Sequence, residues 1–170
     1  MKLFNTNEFN SMEDLLHDQI EDLYDAEKRL TGALPKMADA AHTPELETAF
    51  REHLAETEGH VTRLEEIFRL LGREPKRETC DAMKGLISEG EEMIEAQGNP
   101  TVRDAALIAA AQRVEHYEMA GYGTARNFAK RCGRDDIAEL LQATLDEEKQ
   151  ADGKLTNIAE QTVNPAGAAV

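Results

Sequence analysis

Along Leu16, Ile20, Leu23, Glu27, Leu30 and Leu34 the steps are 4, 3, 4, 3 and 4, the spacing of one face of an α-helix. Ser11 can cap this first helix, and Pro35 should kink or end it, because proline removes a donor and crowds the preceding turn. Thr43-Pro44-Glu45 opens a second helix, with Thr at the cap and Pro at the first position. Its apolar face is Phe50, Leu54, Val61, Leu64, Phe68 and Leu71, and Gly72 stops it. A third strong helix starts at Thr101 and uses Leu107, Ala111, Val114, Ala125 and Phe128 until Gly133. The fourth runs from Asp135 through Leu140, Leu141, Leu145, Leu155 and Ile158.

Between the second and third lies a different stretch, residues 73–100. A polar connection around Pro75, Lys76 and Arg77 leads to a weaker helix over Asp81 to Gln97, carrying Met83, Leu86, Ile87, Met93 and Ile94. Short links make antiparallel neighbours, and a long link can carry the chain back across a bundle. The expectation is an all-α chain with breaks near 41–44, 72–79, 98–101 and 132–134. Residues 1–163 form a four-helix bundle with one long crossover bearing a short extra helix, and 164–170 form a frayed tail. Only 5% of the 170 residues are aromatic and Trp is absent, which suits long helices better than a sheet.

The charge balance narrows the function. With 19 Lys+Arg against 34 Asp+Glu the net charge is −15, and no cationic cluster offers a surface to nucleic acid or to anionic lipid. No apolar run is long enough to span a bilayer, and Met1-Lys2-Leu3-Phe4-Asn5 has no signal-like apolar segment, so a cytoplasmic protein is expected. Cys80 and Cys132 form neither a disulfide framework nor a metal-type cluster. Gly-rich phosphate loops, nucleophile elbows and Cys-x-x-Cys motifs are lacking.

The two halves overlay without gaps at an offset of 91. Leu16 falls on Leu107, Leu23 on Val114, Leu54 on Leu145 and Leu64 on Leu155, while Glu27 falls on Glu118 and Glu56 on Glu147. Each of these glutamates lies on or beside an apolar stripe. Any one of them alone is an ordinary boundary residue reaching for water. Recurrence on all four helices is different, because carboxylates aimed at one core need a cation to neutralise them. Two divalent metal ions supply that charge: iron first, with manganese or zinc as alternatives. Glu115, one turn before Glu118, can add a carboxylate. His60 and His53 share the face of Glu56, so either can be a ligand while the other orients one. His17 and His42 read as solvated, His116 as structural, and Tyr24, Tyr117 and Tyr122 as amphipathic packing.

Asp22-Leu23-Tyr24-Asp25-Ala26-Glu27, Ala33-Leu34-Pro35-Lys36-Met37, His53-Leu54-Ala55-Glu56-Thr57, Val114-Glu115-His116-Tyr117-Glu118, Tyr122-Gly123-Thr124 and Thr144-Leu145-Asp146-Glu147-Glu148-Lys149 together resemble the YciE/YciF family of ferritin-like proteins. The resemblance covers roughly residues 9–162. It implies a bacterial ferritin-like bundle, dimeric, linked to stress responses and carrying a di-metal centre. The usual ferritin-like pattern places Glu and His three apart on two helices. Here Glu56 is followed by His60 at four, and Glu147 has no following histidine, so Glu148 or Asp152 can stand in on the last helix. The site set expected from the sequence is therefore Glu27, Glu56, His60, His53, Glu115, Glu118 and Glu147. Two functions compete. One is a di-iron protein of ferroxidase type, or one that reduces peroxide or oxygen. The other is a structural homodimer with a vestigial site.

Overall fold

The computed structural model describes residues 8–170, so the N-terminal segment read above for a signal lies outside it. Five long helices follow: α1 (Met12–Ala40), α2 (Pro44–Leu70), α3 (Asp81–Glu95), α4 (Pro100–Arg131) and α5 (Asp135–Ile158). No strand occurs among the described residues. α1 packs along α2 and α4 along α5, the pairs meet through α1 with α4 and α2 with α5, and α3 lies across α1 and α4. The breaks fall where glycine, proline and polar residues were read, with Gly72 and Gly133 at φ 67° and 70°, the left-handed ends that only glycine takes without strain.

Local signals explain most of the boundaries. Ser11 and Asp14 form a reciprocal capping box on α1, with Asp14 N donating to Ser11 Oγ at 3.1 Å. Asn99 Oδ1 accepts from Thr101 N and Val102 N ahead of Pro100. One expectation needs correction and one a refinement. Pro35 does not end α1, which continues to Ala40: the following turns bury Met37 and Ala38, and that packing outweighs one missing hydrogen bond. Thr43 holds the cap position of α2 without using its side chain. Instead, buried Asp104 of α4 accepts from His42 N at 2.9 Å and Thr43 N at 2.7 Å.

The apolar face of α3 packs largely on its own bundle. Met83 is fully buried, and Leu86, Ile87, Met93 and Ile94 pack against the core. Asp25 ties the crossover to α1 by accepting from Arg77 Nε at 2.8 Å and Cys80 N at 2.9 Å. After Ile158 the chain makes a π-helical turn, Ala159–Val163, that buries Val163. The segment expected as a tail then opens with a four-residue helix, α6 (Asn164–Gly167), lying against Thr101 and Val102.

The apolar core is divided in two. One cluster holds Leu30, Leu34, Phe50, Leu107, Val114 and Leu155; the other holds Leu16, Ile20, Val61, Leu64, Tyr122 and Leu141. On α1, α2, α4 and α5 the buried residues at the boundary between the two clusters are polar. A belt of carboxylates and imidazoles crosses the middle of the molecule.

Candidate metal centre

That belt consists of Glu27 from α1, His53, Thr57 and His60 from α2, Glu115 and Glu118 from α4, and Glu148 from α5, all buried. Each sits on its helix where the apolar stripe passes, so folding the stripes inward carries these groups in with them. Ligand atoms of His53, Glu115, Glu118 and Glu148 lie within 4.8 Å of one another, and so do those of Glu27, His60 and Glu148. Glu148 belongs to both groups. The geometry is that of two adjoining sites with one shared carboxylate.

The histidines are oriented from outside. His53 Nδ1 lies 3.2 Å from Glu56 Oε2, which turns Nε2 toward Glu115 at 3.4 Å and Glu148 at 3.7 Å. His60 Nε2 lies 2.9 Å from Glu147 Oε2, which turns Nδ1 toward Glu148 at 3.0 Å and Glu27 at 3.3 Å. Glu147 is held in turn by Arg63, whose Nη1 is 2.8 Å away. An outer carboxylate that fixes an imidazole and leaves its other nitrogen inward is the usual support of a metal-binding histidine.

Of the residues expected from the sequence, Glu27, His53, His60, Glu115 and Glu118 come together. Glu56 and Glu147 do not join them: their side chains are 48% and 36% exposed, and each meets a histidine from behind. The residue underweighted is Glu148. A signal for it existed, since Leu141, Leu145 and Glu148 continue the 4-and-3 stepping of α5. The repeat conceals it, because 148 − 91 = 57 and position 57 is a threonine. Asp152 lies outside the belt, beside His116 and Gln112.

The belt is electrostatically unfinished. Both oxygens of Glu118, one each of Glu27 and Glu115, and Thr57 Oγ1 are buried without a hydrogen-bond partner, while the inward nitrogens of both histidines and the oxygens of Glu148 have only one another, Glu27 and Glu115 within reach. Burial drives the carboxyls of Glu115 and Glu118 well above the usual range, and neighbouring carboxylates add to the effect. Burial alone would lower His60, but Glu148 and Glu27 against its ring raise it to about 10. Tyr122 donates to Glu27 Oε1 and is pushed well above its ordinary value by burial and that carboxylate. Four buried carboxylates and two divalent cations balance in charge, and the unpartnered oxygens and nitrogens are the donor types that iron or manganese accepts. The residues fit a metal pair.

A helical bundle with one long crossover and a carboxylate–histidine belt at its centre is of the ferritin-like class. Comparison with known proteins narrows this further: residues 11–168 match the family described as a domain of unknown function, DUF892, and the chain belongs to that family. It is 46% identical to Protein YciF of Escherichia coli over 155 residues, covering 91% of this chain and 93% of that protein. The crystal structure of the E. coli stress protein YciF superposes with a TM-score of 0.88, covering 92% of this chain and 99% of that one. YcfI from Rhodopseudomonas palustris, 42% identical, superposes with the same score and the same coverage of each chain. A Xanthomonas campestris protein at 19% identity and a TM-score of 0.74 shares the fold, over 94% of this chain and 98% of its own. No helix among the described residues is long and apolar enough to cross a membrane.

Proposed function

We propose that this is a ferritin-like stress-response protein whose central belt holds two divalent metal ions, iron first, and acts as a ferroxidase or in reducing peroxide or oxygen. The observation that carries the reading is the set of buried, unpartnered carboxylate oxygens, above all both oxygens of Glu118. An uncompensated buried acid is among the costlier features a core can keep, and a bound cation converts that cost into ligation. Bound iron supplies one-electron redox chemistry and Lewis acidity. The chain supplies the rest. Glu148 would serve both ions, Glu27 with His60 one of them, and Glu115, Glu118 and His53 the other. Tyr122 steadies Glu27, Glu56 and Glu147 hold the imidazoles, and the two apolar clusters limit water on either side. The stress role rests on likeness to the E. coli stress protein.

The test is metal content by elemental analysis, after anaerobic Fe(II) loading and removal of unbound metal. Two ions per chain support the centre, and oxygen or peroxide consumption by the loaded protein then names the reaction. A chain that retains no metal returns the protein to the second reading, a structural protein with a vestigial site. One observation favours that alternative: α5 carries Ala151 where the repeat places the counterpart of His60 (60 + 91 = 151).

A further inference from the structure

Between α2 and α5 a cavity of about 300 Å³ opens at the surface, walled by Ala49, Phe50, Leu155 and Ala151 and edged by Glu52, Glu56, Gln150 and Lys154. Its inner end is formed by His53 and Glu115, both in the buried belt. His53 Nε2 and Glu115 Oε2 are buried and have no hydrogen-bond partner. One wall of the opening is a small side chain. Ala151 occupies the position that the repeat pairs with His60, and it presents only a methyl to the cavity at the α2–α5 seam.

Resting on the metal-centre reading, we infer that this cavity is the route by which divalent cations reach the belt, with Lys154 as its gate. Its exposed rim carries Glu52 and Glu56 against the single Lys154, a net negative mouth that concentrates cations and repels anions. Lys154 of α5 reaches across to pair with Glu52 of α2, so the one cation on the lining is drawn over the opening. Both partners are about half exposed, 46% and 57%, and an exposed pair of this kind is weak enough to exchange for an incoming ion. A cation passing Glu52 and Glu56 meets His53, whose Nδ1 already faces Glu56 and whose Nε2 faces Glu115 and Glu148. His53 is thus the handover point between the polar mouth and the buried carboxylates.

Co(II) serves as the probe, because its visible absorption changes on transfer from water to protein ligands and it needs no oxidant. Stopped-flow uptake by the metal-free protein gives the rate, and equilibrium titration gives stoichiometry and affinity. Ala151→Leu, which narrows the cavity at a residue that is not itself a ligand, should slow uptake at least roughly fivefold with stoichiometry unchanged, and Lys154→Gln should speed it roughly two- to fivefold, most at low salt. Lys154 lies on the surface, so its substitution tests the route even if Ala151→Leu folds poorly. Unchanged rates in both variants, with two Co(II) still bound, would overturn the route and leave the centre standing. A wild-type chain that binds no Co(II) would remove the centre, and the route with it.

Discussion

His60 Nε2 and Glu147 Oε2 are 2.9 Å apart, and this contact decides which nitrogen of His60 the belt receives: Nδ1, directed at Glu27 and Glu148. Glu147 therefore differs in kind from its neighbour Glu148. Removing an outer partner of this sort lowers metal affinity by about 10–100-fold without deleting a ligand. Glu147→Ala and Glu56→Ala should still bind two metals, more weakly. Glu148→Ala removes the shared carboxylate and should lose two-metal occupancy. Competition titration against a chelator separates the outcomes, and equal losses at 147 and 148 would contradict the assignment.

Glu118 has no hydrogen bond to either oxygen, whereas Glu27 accepts from Tyr122. A buried acceptor left unsatisfied costs about 1–3 kcal/mol, more for a charged group, and an apolar residue of similar size avoids that cost. Glu118→Met should raise the melting temperature of the metal-free protein and abolish metal binding. Glu27→Met should bind no better but gain less stability, because the buried Tyr122 hydroxyl then loses its acceptor. Denaturant unfolding of both variants with chelator present measures the difference.

The same burial sets a pH dependence. Glu115 and Glu118 have folded-state pKa values raised from 4.5, so their contribution is full below about that pH and is lost as pH rises through the folded values. His60, raised from 6.5 to about 10, contributes fully below 6.5 and loses its contribution as pH approaches 10. Glu147 and Glu148, whose pKa values are lowered, act oppositely: their contribution is lost as pH falls below about 4.5. Metal-free protein should be most stable at mildly acidic pH and weaken steadily from pH 6 to 10. Thermal melts across that range check it, and a stability maximum above pH 8 would contradict the sign.

Metal should change that profile. An ion bound only by the folded state adds about 2.7 kcal/mol at a hundredfold excess over its Kd. Ligation needs deprotonated carboxylates and neutral imidazoles, so the gain should grow with pH. Calorimetry with Fe(II) under anaerobic conditions, or with Mn(II), should show a higher melting temperature that chelator reverses.

Gly121 marks the close approach of α1 and α4 beside the belt. A Cβ built there would lie 2.8 Å from Leu23 Cδ2, and Leu23 is fully buried. Gly121→Ala should cost about 1–3 kcal/mol by overpacking and should weaken metal binding by spreading Glu27 from Glu118. An equilibrium unfolding curve identical to wild type would show that the seam yields.

The sequence by itself determined the helices, their breaks and the fact that acidic groups interrupt the inward stripes, because periodicity and the conformational limits of glycine and proline are local properties. Glu27 and Glu118 were legible in that way, and both are buried. Tertiary structure alone decided between Glu147 and Glu148. Adjacent residues point about 100° apart on a helix, and the rotation of α5 about its axis is set by its packing on α2 and α4. The same holds for Asp104, which caps α2 from a different helix, and for Pro35, whose local penalty is outweighed by the burial of Met37 and Ala38. It holds again for the inward nitrogen of His60, chosen by Glu147 87 residues away, whereas His53 takes its orientation from Glu56 three residues along the same helix, a contact the spacing already allowed. Spacing along the chain says which residues can face the core; only the packed bundle brings together partners that are distant in sequence.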